Sequence, residues 1–182
     1  TMVRRGLVSR DMLYPIRILL HHDDSRTRAE AARVLGDVQD AEAVEPLIEL
    51  AFDPEARVAY QSLISLGKIG DSRAIDAAAE VLWAMNESDP WLRHACVMAL
   101  SGCASHDQLV ALLGDASPSI RLGAVLALRR QQDPAVSLAL QDPDPFVAAE
   151  AARAIHDAEI ESAMDDLAKS ASHPMRGQTR EA

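Results

Sequence analysis

Thr27-Arg28-Ala29-Glu30-Ala31-Ala32-Arg33-Val34-Leu35-Gly36-Asp37 is the stretch whose reading decides the fold. With Arg28 as offset zero, it recurs in weakened form at Ala59, Arg93, Arg121 and Ala148. Seven residues further on stand Leu35, Leu66, Leu100, Leu128 and Ile155. Offset +4 holds Ala32, Leu63, Val97, Val125 and Ala152, and offset +3 holds Ala31, Ser62, Cys96, Ala124 and Ala151. One residue before zero are Thr27, Val58, Leu92, Ile120 and Val147. On an α-helix these offsets form a single stripe, small near its middle and large at its ends. Matched columns in five copies identify a repeat protein.

Outward from each copy, the chain reads as a helical hairpin of roughly 30 residues, opened at Asp-Pro or Ser-Pro. The predicted first helices end near Gly36, Gly67-Gly70, Gly102, Arg130 and His156. Gly36-Asp37 reads as a helix stop, since glycine tolerates the left-handed conformation that closes many helices. The predicted second helices cover Ala41 to Ala51, Arg73 to Met85, His106 to Leu113, Asp133-Pro134 to Leu140, and Glu159 to Ala168. Before the first copy, Met12 to His21 is a short amphipathic helix with Pro15 in its first turn, where proline is tolerated. Successive zero positions lie 31, 34, 28 and 27 residues apart, an irregularity that suits a natural array. The longest step carries the loop Met85-Asn86-Glu87-Ser88-Asp89-Pro90, flanked by Trp83 and Trp91. The predicted fold is therefore all-α, an α-α superhelix of about five hairpins plus an N-terminal helix. Residues 1–22 form a cap or truncated repeat, 23–170 the array, and 171–182 a polar, disordered tail. The half-repeat at the start suggests a piece of a longer protein.

Composition narrows the functions. The formal net charge is −10, with a pI near 5.0, which works against binding a phosphate backbone. No apolar run approaches the roughly 18 residues of a membrane span. Cys96 and Cys103 lie seven apart along one helix and its end, about 10 Å, too far for an undistorted disulfide, and read as buried small residues.

Leu66-Gly67-Lys68-Ile69-Gly70-Asp71-Ser72-Arg73-Ala74-Ile75, like Ala29 to Asp37, resembles HEAT-like repeats of the phycobilisome-lyase type. That resemblance implies an α-α superhelix and, at its furthest, an accessory role in bilin attachment. A narrower one rests on three blocks: Asp89-Pro90-Trp91-Leu92-Arg93-His94, Leu126-Ala127-Leu128-Arg129-Arg130, and Asp142-Pro143-Asp144-Pro145 with Glu150 to Asp157. Together they resemble the HEAT segment of large membrane-bound dehydrogenases, or haem-binding proteins, of planctomycete-type bacteria. In that family a propeller precedes the array and a cytochrome c-like domain follows it. The resemblance implies a periplasmic or cell-envelope spacer or docking segment, with the redox chemistry elsewhere.

Sites for chemistry are few. His94, Cys96, Cys103 and His106 suggest zinc by composition, but only Cys103 and His106 have a plausible spacing, and two ligands do not make a site. No His-Glu dipeptide, nucleophile elbow or Cys-x-x-Cys-His occurs in the chain, so neither catalysis nor a bound cofactor is expected. Interaction is the better reading. Trp83 and Trp91 flank the long loop, and tryptophan is enriched at interface hot spots. Glu45 and Glu49 on the first partner helix, with Asp76 and Glu80 on the next, would form an acidic row on a concave second-helix side. Arg28, Arg93 and Arg121 are expected to form a ladder with turn carboxylates such as Asp24, Asp89 and Asp115. The expected function is a non-enzymatic scaffold, binding a protein or neighbouring domains of its own chain.

Overall fold

Three of the five repeats open on an aspartate whose carboxylate caps the first helix: Asp24 accepts from the Arg26 N–H at 2.9 Å, Asp89 from Trp91 at 2.8 Å and Asp144 from Phe146 at 2.8 Å. Each satisfies a backbone donor that the helix itself leaves without a partner. In the computed structural model, which describes residues 12–85 and 89–172, these signals start helices at the expected places. A short α1 (Tyr14–Ile18) continues into a 3₁₀ turn, Leu19–His21. Then α2 (Ser25–Val38) is followed by α3 (Val44–Leu50), and α4 (Ala56–Ile69) by α5 (Ala74–Met85). Next α6 (Pro90–Cys103) is followed by α7 (His106–Leu112), and α8 (Pro118–Gln131) by the 3₁₀ segment Pro134–Gln141. Last come α9 (Pro145–Asp157) and α10 (Met164–Ser172).

The first helices α2, α4, α6, α8 and α9 pack each on the next, while the second elements meet one another far less. The core follows the sequence columns. At offset +7, Leu35, Leu66, Leu100, Leu128 and Ile155 are all completely buried, each contributing about 1.5–3 kcal/mol by leaving water. The small column at +3 is equally buried, from Ala31 to Ala151. Neither rank covers its apolar stripe alone, so the chain folds by stacking into an all-α superhelix.

Two expectations are corrected. Gly36 does not stop α2. The helix runs to Val38, and Gln39 takes the left-handed cap at φ 57°. Gly36 is instead buried at a helix crossing, where an added Cβ would lie 2.4 Å from Ser65 Cβ. The left-handed residue recurs at the same offset in Gly70, Gln132 and Glu159. Second, the partner of α8 is a 3₁₀ segment rather than an α-helix. Its buried residues, Val136 and Ala139, are three apart, the spacing that a three-residue turn brings onto one side. The expected N-terminal stretch before residue 12, the centre of the loop at 86–88, and the tail beyond 172 lie outside the described residues.

Candidate interaction surface

Both tryptophans stand out from the surface. Trp83, in the last turn of α5, is 66% exposed, and Trp91, in the first turn of α6, is 76% exposed. An amphipathic α5 buries Val81 and Leu82 and turns the next residue outward. Trp91 sits one residue after the N-terminal proline of α6, before the buried stripe begins. The loop brings the two near in sequence but not into one groove. Trp83 lines a groove with Asp115, Ala116, Ser117 and Pro118, the opening turn of the fourth repeat, and Trp91 does not line it.

The four acidic residues are exposed, and one of them is engaged. Glu45, Glu49, Asp76 and Glu80 are all exposed on α3 and α5. Glu45 accepts a 2.7 Å ion-paired hydrogen bond from Arg73, which also grips Asp71 at 2.8 Å. The Arg73 guanidinium and backbone N–H hold the Asp71 carboxyl at about 2. Glu49, Asp76 and Glu80 have no ion-pair partner among the described residues.

Two of the three arginines of the expected ladder hold carboxylates, though not the ones expected. Arg28 donates to the backbone oxygens of His22 and Asp23, and bidentately to Asp53 at 2.8 and 3.0 Å. Arg121 does the same with the oxygens of Asp115 and Ala116, and with Asp142 at 2.7 and 2.8 Å. In both, the carboxylate lies six residues before the next repeat's zero position, so the expected partners Asp24 and Asp115 are not the ones used. The arginine fork fits a carboxylate edge-on while its remaining N–H groups satisfy turn carbonyls. Each clamp therefore ties a repeat to its successor. Hydrogen bonding to Arg121 pulls the Asp142 carboxyl below its ordinary range, against the opposing effect of burial. Arg93, at the same offset, makes no such clamp: among the described residues it has no ion-pair partner, Asp89 included.

The cysteines and histidines part company. Cys96 and Cys103 are free and buried, and burial pushes their thiols up to about 12 and about 11. Cys103 Sγ lies 3.3 Å from the Leu66 carbonyl. His106 turns away from it to pair with Asp133 across the repeat boundary at 2.7 Å.

Sequence reasoning missed one feature. A groove of about 430 Å³ between α6 and α8 is lined by Pro90, Arg93, His94, Val97, Leu126, Arg129 and Arg130. The signal was available in the distribution of charge. Helices α4, α6 and α8 carry Arg57, Lys68, Arg93, Arg121, Arg129 and Arg130 with no Asp or Glu, while α3, α5 and α7 carry Glu45, Glu49, Asp76, Glu80 and Asp107 with no Lys or Arg. An overall charge of −10 conceals that segregation.

Residues 15–101 match the family described as HEAT repeats. No curated protein matches the chain. Among solved structures, an archaeal HEAT-like repeats protein from Thermococcus onnurineus NA1 is 17% identical, with a TM-score of 0.55 over 97% of this chain and 77% of that one. A designed armadillo repeat protein in complex with the peptide (KR)4 is 18% identical, with a TM-score of 0.51 over 86% of this chain and 83% of that one. A chain from a study of microtubule plus end tracking by XMAP215, CLIP-170 and EB1 is 15% identical, with a TM-score of 0.54 over 93% of this chain and 91% of that one. At these identities the likeness concerns the fold, and with the buried columns it establishes an α solenoid of the HEAT and armadillo-like kind.

Proposed function

We propose that this chain is a non-enzymatic scaffold, a protein-interaction module whose array spans residues 23–170 behind an N-terminal cap. The observation that carries this reading is the exposure of Trp83 and Trp91, at 66% and 76%. A large indole in water forgoes the burial that favours it elsewhere, and covering it by a partner recovers that free energy. The designed neighbour that holds a peptide supports a solenoid of this kind as a peptide-binding frame. The narrower resemblance of the second half supports a docking segment between domains of a larger haem- and quinone-type dehydrogenase. A propeller encoded upstream and a Cys-x-x-Cys-His downstream would test that extension; their absence removes it.

The test of the main reading is affinity capture from the native extract with wild type and the Trp83→Ala/Trp91→Ala pair, their helicity matched by circular dichroism. Loss of a specific partner from the paired variant is the expected result. Retention of the same partners by both proteins defeats the assignment to the tryptophans, and capture of nothing by wild type defeats the interaction reading itself.

A further inference from the structure

Arg28 and Arg121 spend their guanidinium groups on clamps, yet Arg93, at the same repeat offset, faces a groove. Arg129 and Arg130, one full helix further along the array, line that groove too, as does the exposed His94. No carboxylate lines it among the described residues. Arg93 and Arg130 have no ion-pair partner among the described residues, and Arg129 reaches Asp157 only at 3.6 Å. Val97 and Leu126 line the same groove. Three arginines gathered here, with the 3.6 Å contact to Asp157 as their one ion pair among the described residues, repel one another unless an anion joins them.

We propose that the groove between α6 and α8 docks an acidic segment of a protein partner, with Asp or Glu side chains taken by Arg93, Arg129 and Arg130 and an apolar side chain set on Val97 and Leu126. The proposal rests on the interaction-module reading but uses a different surface from the tryptophans. The guanidinium fork matches a carboxylate in two parallel hydrogen bonds, and the apolar floor accepts a side chain between the charges. A nucleic acid fits less well. Beyond the groove, its phosphates would approach a strongly acidic chain, and salt-dependent backbone binding needs a longer cationic track than this one. The acidic second elements repel a long polyanion along its length, whereas a short acidic segment need only reach the cationic rank.

The test uses the full chain with a fluorescein-labelled alternating Glu-Leu peptide, titrated at low and physiological salt by fluorescence anisotropy. Parallel titrations use the alternating Lys-Leu peptide and a single-stranded oligodeoxynucleotide. Saturable binding of the acidic peptide is expected, weakened roughly tenfold or more by Arg129→Glu/Arg130→Glu and unchanged by Arg33→Met, at a residue that does not line the groove. Arg130 is exposed and Arg129 partly so, and an unaltered circular dichroism spectrum and thermal midpoint confirm the fold of the variant. Amide shifts at Val97 and Leu126 on adding peptide locate the site independently. Equal binding by wild type and the charge-reversed variant overturns the proposal, as does tighter binding of the oligonucleotide than of the peptide. Self-association of the wild type that the reversal abolishes also overturns it, by making a second copy the occupant. If the peptide fails to bind while native-extract capture still depends on the tryptophans, the groove proposal falls and the interaction reading stands.

Discussion

In the α2–α4–α6 half of the array, neighbouring helices meet backbone to backbone. Gly36 and Gly67 stand at offset +8 and Gly102 at +9, and a Cβ added at Gly102 would lie 2.0 Å from the Gly67 carbonyl oxygen. In the α6–α8–α9 half, the same two offsets on α8 are Arg129 and Arg130. There the helices do not close over one another, and the cationic groove opens between α6 and α8. One pair of columns thus sets the spacing of the stack: glycine brings axes together, and arginine holds a surface open. The clamps differ in the opposite sense. In the more open half Arg121 and Asp142 are sealed, with side chains 9% and 4% exposed, while Arg28 and Asp53 are 15% and 5% exposed.

The largest effect should come from breaking the sealed clamp. Arg121→Met leaves the Asp142 carboxylate buried without its cation, an expected loss of about 3–5 kcal/mol in urea unfolding. Because the paired carboxyl titrates below its unfolded value, the clamp's contribution is present above the ordinary Asp range and fades as pH falls through the lowered value. An Arg33→Met control, which removes only the exposed pairs to Glu30 and Asp37, should leave the midpoint nearly unchanged. Equal losses in both variants would show that burial does not distinguish the clamp.

A smaller but sharper effect is expected from Gly102→Ala. Its new methyl meets backbone rather than a movable side chain, so α4 and α6 must separate, at a cost of about 3 kcal/mol. Gly114→Ala meets only the Ala111 carbonyl at 3.4 Å and should change stability by no more than about 0.5 kcal/mol. Similar behaviour of the two would contradict glycine-controlled spacing.

The smallest effect concerns the bridge between the third and fourth repeats. Asp133 hydrogen-bonds His106 and raises its pKa. Burial pushes the Asp133 carboxyl up, but bonds from His106 and the Ala135 N–H outweigh it, and the net shift is downward. A raised histidine contributes stability in full below its unfolded value of about 6.5, and that contribution is lost as pH rises through the folded value. An NMR titration should therefore find His106 above 6.5 and returning towards it in Asp133→Asn. No change on that substitution would remove the bridge from the account.

How much could be read in advance follows from which forces are local. Helix starts were legible because proline and aspartate act within one turn, as Asp89 does for α6. The buried columns were legible because a stripe at helical spacing has only one way to leave water. The end of α2 was misread because glycine serves two purposes, and whether Gly36 caps a helix or admits a neighbour depends on Ser65, distant in sequence. The 3₁₀ form of Pro134–Gln141 was hidden for a similar reason, since eight residues bearing two buried side chains suit either helix until a neighbour selects the spacing.

The same division applies to the surface. Exposure of the tryptophans could be suspected from their place beside a loop, but whether they share a groove could not. The sequence alone determined that this is an all-α stack with a small-and-large seam, because helical periodicity and apolar burial act on every copy alike. Only the tertiary structure decided which carboxylates Arg28 and Arg121 hold, and that Arg93 holds none among the described residues. An ion pair across a repeat boundary depends on the rotation between units, which no single unit specifies.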